Sequence, residues 1–199
     1  MATRDSDMEG GLVGPRSTAL IVIDVQRGFV NGHSRGVIPA IVNVVKQWHS
    51  AGAPIVFARF LNAPGSPYET ITGWTKLRTA EERELIPELS AYVDDAAGVI
   101  DKPQSSIFTA EGTRLLQGGG WTDLVMCGID TDSCVYDSAI AAYHAGFRPW
   151  VVTDACASTG GPEYHDAAIM LAARNIGSSQ LVTTHDVLTH IGNPPGGPR

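Results

Sequence analysis

Cysteine is scarce in this chain. Only Cys127, Cys134 and Cys156 occur, an odd number with no Cys-x-x-Cys spacing. That argues against a disulfide framework and against a zinc site built from cysteine pairs, and it leaves at least one thiol for other work. Long apolar runs are also missing; none approaches the ~18–20 residues of a membrane span. Residues 1–16 alternate charge, glycine and proline without the apolar core of a secretion signal. A cytoplasmic protein with no membrane partner is expected. Positive charge is the minority sign, with 14 Lys+Arg against 21 Asp+Glu and a net charge of −7. A nucleic-acid partner needs a basic footprint, so none is expected.

What is present describes a globular chain. Apolar residues make up 43% and charged residues 18%, too apolar for a disordered protein. The 199 residues suit one domain. Residues 17–191 are expected to form it, between flexible ends at 1–16 and 192–199, the latter a Gly/Pro-rich tail. No internal repeat of fixed period occurs.

Short apolar runs alternate with segments of helical period. The runs are Ala19–Ile23, Pro54–Ala58, Gly98–Ile100, Asp123–Cys127, Pro149–Val152 and Gln180–Thr183. Their Val/Ile content suits strands covered on both faces. Ile38–Ser50, Thr109–Gln117, Ser133–Ala145 and Pro162–Asn175 carry helical periodicity, with Gly118, Gly146 and Gly177 where left-handed C-terminal glycines belong. Strand and helix in alternation predict an α/β fold, a parallel sheet wrapped by helices. Right-handed crossovers put the strand C-termini on one edge, where ligands bind.

Three of those strand ends carry reactive groups. Asp24 closes the first run, as a capping or structural carboxylate or as an acid/base. Lys102, one of only three lysines, follows the third run, as a snorkelling surface side chain or a functional cation. Cys134 follows the fourth run and the turn Gly128-Ile129-Asp130-Thr131, in the first turn of an Ala-rich helix. A helix start favours a thiolate and offers N–H donors for an oxyanion, so a lowered thiol pKa is expected there; a small buried hydrophobe is the alternative. Cys127 and Cys156 fit that second description. Carboxylate, cation and thiol together make a coherent nucleophilic site.

The segments Ile-Val-Ile-Asp-Val-Gln-x-x-Phe at 21–29, Asp-Lys-Pro-x-x-Ser-x-Phe at 101–108 and Cys-Gly-Ile-Asp-Thr-Asp-x-Cys-Val at 127–135 resemble the isochorismatase-like cysteine hydrolases. The likeness extends over about residues 18–190, through Val151–Ser158 and His165. It implies a three-layer Rossmann-like fold with a six-stranded parallel sheet. It also implies a catalytic triad of Asp24, Lys102 and Cys134, and a cis Ile129–Asp130 bond. An oxyanion hole of the Asp130 and Cys134 backbone N–H groups follows, with Thr131 bracing the turn. Metal-dependent relatives carry Asp-x-His and a later His after the second strand. Arg59–Tyr68 contains neither residue type, so no metal and no other cofactor is expected. Gln104-Ser105-Ser106 departs from the aromatic-Ser-Ala found in many relatives.

Gln26, Phe29, Trp74 and Thr131 are the candidate substrate-binding residues, with Tyr68 beside Trp74 in the long segment Asn62–Glu82. Arg59 and Asn62 stand as substrate contacts or surface pairs, and His165 as a structural hydrogen-bond partner. The expected activity is metal-independent cleavage of a C–N bond in a small molecule through a thioester on Cys134. A vinyl-ether hydrolase of the isochorismatase type, or a non-catalytic binding module, are the alternatives. The resemblance also implies a homo-oligomer, dimer or tetramer, with Trp48, Trp121 and Trp150 as interface candidates.

Overall fold

The computed structural model describes residues 17–192; the two expected flexible ends lie outside these residues, apart from Gly192. Six strands, β1 (Thr18–Ile23), β2 (Ile55–Phe60), β3 (Gly98–Lys102), β4 (Asp123–Ile129), β5 (Arg148–Ala157) and β6 (Leu181–Val182), form one sheet in the order β3-β2-β1-β4-β5-β6. Every pairing is parallel, with Leu20 opposite Ile55 on one side of β1 and Val125 on the other. The strand order reverses direction between β1 and β4, which places a crevice at their C-terminal ends.

The helices are α1 (Ile38–Ser50), α2 (Pro67–Thr70), α3 (Ala80–Arg83), α4 (Pro87–Ser90), α5 (Ala110–Gly118), α6 (Tyr136–His144), α7 (Pro162–Ile176) and α8 (Thr184–Gly192). α1 packs with α4 and α8, while α6 and α7 pack on each other. With right-handed crossovers, these two groups cover opposite faces of the sheet. Covered twice, β1 and β4 are buried at every residue, which explains their unbroken apolar runs. α1 buries Ile41, Val44, Val45 and Trp48, a stripe of helical spacing, and begins with Pro39 in its first turn. Among the described residues no helix is long and apolar enough to cross a membrane.

Several local expectations change. α8 includes Gly192, so the helix runs through the start of the expected tail. Gly118 is the last residue of α5, and Gly120 instead takes the left-handed turn, at φ +70°. Gly146 and Gly177 do have positive φ. Asn62–Glu82 is not structureless: α2 and the start of α3 lie within it, and Thr79 and Glu82 form a reciprocal capping box. Trp48 and Trp150 are buried core residues, not interface residues. Their indole N–H groups donate to Pro54 O at 2.9 Å and Asp123 Oδ1 at 2.8 Å. Trp121 is half-buried against the same core.

Gly128 fixes how closely β4 approaches β1. It sits at φ +136°, and a Cβ there would lie 2.0 Å from the Ile23 carbonyl oxygen. Gly128→Ala is therefore expected to cost about 3 kcal/mol or more, the upper range for overpacking a core. Urea unfolding should show that loss, while Gly118→Ala, whose Cβ meets nothing within 4 Å, leaves the midpoint nearly unchanged or raises it.

Candidate active site

The switch point gathers three reactive side chains. Asp24 immediately follows β1, and its amide extends the ladder by donating to Ala58 O at 3.0 Å. Its φ of +53° breaks the strand there, a conformation Asp tolerates better than most residues. Lys102 ends β3 and is fully buried, which rules out the snorkelling alternative. Its Nζ donates to Asp24 Oδ2 at 2.6 Å and to Gln104 O at 3.1 Å, and lies 5.2 Å from the Phe60 ring centre. Cys134 belongs to a π-helical turn, Thr131–Val135, that follows β4 and leads into α6. Helical structure thus begins two residues earlier than Ser133–Ala145 implied, and Cys134 precedes the α-helix proper, which starts at Tyr136.

The electrostatics of the three groups are coupled. Burial pushes the Asp24 carboxyl above the usual carboxylate range, against the pull of Lys102, the Cys134 thiol and the Phe60 backbone. Burial alone would lower Lys102, but the charges of Asp24 and Cys134 outweigh it and hold the ammonium above an ordinary lysine. The thiol does not have the lowered pKa expected from a helix start. Burial and the adjacent Asp24 charge push Cys134 well above the ordinary cysteine value, and Lys102 only partly offsets them. Asp24 Oδ1 has no hydrogen-bond partner among the described residues.

A pocket of about 320 Å³ opens onto this group. Phe29, Phe60, Tyr68, Thr72 and Trp74 line it, with Asp130, Ser133 and Cys134. Phe29 and Trp74 stack at 5.9 Å with an 18° interplanar angle, and Phe60 meets Tyr68 edge-on at 4.9 Å. These rings, with Leu77 and Ile129, form a small apolar cluster separate from the main core.

The segment carrying Tyr68 and Trp74 is held at its base. Asn62 donates to Trp74 O at 3.3 Å and Lys76 O at 2.9 Å and accepts from Ser66 Oγ at 2.6 Å. Arg83 reaches Asn62 O at 2.5 Å and Leu77 O at 2.9 Å. Among the described residues, no group of three or more His, Cys, Asp or Glu side chains is placed to hold a metal ion.

A family model described as Isochorismatase domain matches residues 18–186. The chain belongs to the isochorismatase family. It is 28% identical over 184 residues to the uncharacterized isochorismatase family protein YwoC of Bacillus subtilis (strain 168), covering 88% of this chain and 95% of that protein. It is 26% identical over 189 residues to ureidoacrylate amidohydrolase RutB of Azorhizobium caulinodans, covering 76% of this chain and 81% of that one. Among solved structures, nicotinamidase PncA from Bacillus subtilis shares the fold with a TM-score of 0.73 at 24% identity, over 83% of this chain and 99% of that one.

In this isochorismatase-family hydrolase, the residues singled out from the sequence fall into two groups. Asp24, Lys102, Cys134, Phe29, Trp74 and Tyr68 meet at the pocket and its floor. Gln26 and Thr131 do not line it. Gln26 is fully buried, with its amide spent on backbone: Nε2 donates to Phe60 O and Arg83 O, and Oε1 accepts from Phe60 N. It clamps the ends of β1 and β2 to the Arg83 loop. The Thr131 hydroxyl pairs with His165 Nδ1 at 2.8 Å and braces the turn. Arg59 is committed to a two-point ion pair with Asp101, at 2.7 and 2.8 Å.

Phe60, Thr72 and Ser133 line the pocket and were not anticipated. Phe60 closes a strand whose period cannot reveal that its ring turns into a separate cluster. Ser133, directly before Cys134, was the one with an available signal.

Asp130 gives a pH test. Burial raises its carboxyl to about 6, opposed by hydrogen bonds from Thr159 N at 2.5 Å and Thr159 Oγ1 at 3.0 Å. Its unfolded value is near 3.9. Between these values the folded state keeps a proton that the unfolded chain has lost, so this group makes stability fall as pH rises from about 4 to about 6. Asp130→Asn keeps the Thr159 contacts and should remove that slope from unfolding free energies measured across the window. Separately, Lys102→Met leaves Asp24 buried without its cation and should cost about 3–5 kcal/mol in the same assay at pH 7.

Proposed function

We propose that this protein is a cysteine amidohydrolase that cleaves the C–N bond of a small, uncharged amide through a thioester on Cys134. One observation carries the proposal: the fully buried Lys102–Asp24 pair lies beside the Cys134 thiol at the floor of an aromatic-walled pocket. A buried ion pair is a costly way to stabilise a fold. Here it supplies a base of raised affinity for protons next to a nucleophile that needs one removed.

In the proposed cycle, Asp24 takes the thiol proton as sulfur bonds to the carbonyl carbon. Backbone N–H groups of Asp130 and Cys134 receive the oxyanion. The C–N bond breaks, and Asp24 passes its proton to the leaving nitrogen. Asp24 then takes a proton from water as the water oxygen bonds to the acyl carbon. The C–S bond breaks, the proton returns to sulfur, and a carboxylic acid departs. Lys102 stays charged and holds Asp24 in place.

Two considerations favour an amide over a vinyl ether. Two of the similar proteins are named for amide hydrolysis, ureidoacrylate amidohydrolase RutB and, at 26% identity, nicotinamidase 3 of Arabidopsis thaliana. Isochorismate carries two carboxylates, and among the described residues no Lys or Arg side chain lines the pocket. Lys102, just behind it, is already committed. The stacked Phe29 and Trp74 rings suit a flat, neutral substrate.

A screen of small neutral amides, with ammonia or amine release as readout, should find turnover in the wild type. Cys134→Ala should lose at least about 10³-fold in kcat with an unchanged circular dichroism spectrum. Mass spectrometry of quenched wild-type enzyme should show the acyl group on Cys134; an alanine variant that turns over normally would exclude covalent catalysis. Trp74→Ala removes a wall and not a reacting group, so it should raise KM about tenfold with a smaller change in kcat.

A further inference from the structure

Four side chains bring oxygen atoms to the pocket beside Cys134: Tyr68, Thr72, Asp130 and Ser133. In a cavity otherwise walled by aromatic rings, a few polar groups decide which molecule is accepted. Such a group can read a ligand only if the fold has left its hydrogen-bonding capacity unspent. Three of the four are committed. The Thr72 hydroxyl donates to Tyr68 O and accepts from Trp74 N at 3.4 Å. The Asp130 carboxyl turns to the loop after β5, where each of its oxygens accepts from Thr159. The Tyr68 hydroxyl lies against the hydroxyl and amide of Ser105, and that Ser105 hydroxyl donates in turn to Asp137.

Ser133 differs from the other three. Its backbone N–H donates to Asp130 O at 3.3 Å, and its backbone oxygen accepts from the Tyr136 N–H. Its hydroxyl has no partner among the described residues. Thr131, Cys134 and Val135 of the same turn are buried and Asp132 is exposed, while Ser133 is half-buried at the pocket. Consecutive Cα atoms lie ~3.8 Å apart, so this hydroxyl meets a substrate atom close to the carbonyl that the sulfur attacks. The leaving nitrogen must face Asp24 to take its proton, and Asp24 is fully buried behind the pocket wall. The atom that meets Ser133 therefore belongs to the acyl half. A hydrocarbon pressed against the hydroxyl strips it of water and leaves it unpaired, whereas a heteroatom there restores the bond.

We propose that Ser133 is a specificity-determining residue, and that the substrate is a planar carboxamide with a hydrogen-bonding heteroatom next to the scissile carbonyl on its acyl side. The assignment rests on the amidohydrolase reading of the site. Its test reads binding and not turnover, so the two fail separately.

The Cys134→Ala variant of the full chain removes the reacting sulfur and keeps the walls. Dissociation constants are measured on it by NMR titration for two matched pairs of neutral amides. Pyridine-2-carboxamide against benzamide offers Ser133 an acceptor, and pyrrole-2-carboxamide against thiophene-2-carboxamide offers it a donor. In at least one pair the heteroatom amide should bind about tenfold more tightly than its apolar match. Adding Ser133→Ala should bring that ratio to within about twofold, and adding Ser133→Thr, which keeps a hydroxyl, should preserve it. The melting temperature should stay where it is in Ser133→Ala, because the hydroxyl holds no other part of the fold. Ratios below about threefold in both pairs overturn the proposal, and so does a preference that survives Ser133→Ala. A Ser133-dependent preference in a protein whose wild type hydrolyses none of the four amides supports the assignment and counts against the thioester reaction instead.

Discussion

The buried contact between the Lys102 ammonium and the Asp24 carboxylate is the constraint to which the rest of the structure answers. Two charges removed from water cost several kcal/mol each unless close geometry offsets the loss. The doubly wound sheet meets that demand by bringing the ends of β1 and β3 to one edge, although 78 residues separate the two side chains. The Phe60 ring, from the strand between them, lies near the ammonium and excludes water from one side. The thiol arrives from the other side of β1, on the turn after β4. One oxygen of that carboxylate, Asp24 Oδ1, is buried without a hydrogen-bond partner among the described residues, and in the proposed cycle it is the atom that takes the thiol proton.

Much of this was legible from the order of residues. Runs such as Leu20-Ile21-Val22-Ile23 give away doubly covered strands because burial on both faces removes polar alternation. Asp24 and Lys102 stood out as charged residues directly after apolar runs, and Cys134 as a thiol at a helix start just beyond the fourth run. The hidden parts depend on distant packing. Gln26 and Thr131 have polar side chains at the ligand-binding edge, yet their hydrogen-bonding capacity is met by Phe60, Arg83 and His165, residues 34 or more positions away. The thiol pKa went the opposite way from expectation because burial and one neighbouring carboxylate outweigh the partial charge of a helix start. Trp48 and Trp150, suggested as interface residues, proved to be core, while Trp121 is half-buried against it.

Asn62 gives the pocket wall a modular character. One fully committed side chain gathers Ser66, Trp74 and Lys76, so the segment between them closes on itself before the chain returns to the sheet. Its rings reach the pocket, while the acid, the amine and the sulfur are all anchored elsewhere, on strand ends and the turn after β4. A stretch closed on itself in this way can differ in length or shape with little direct effect on the backbone that carries those three side chains. A common chemical engine fitted with interchangeable fronts is one physical route by which a single scaffold diversifies the molecules it accepts.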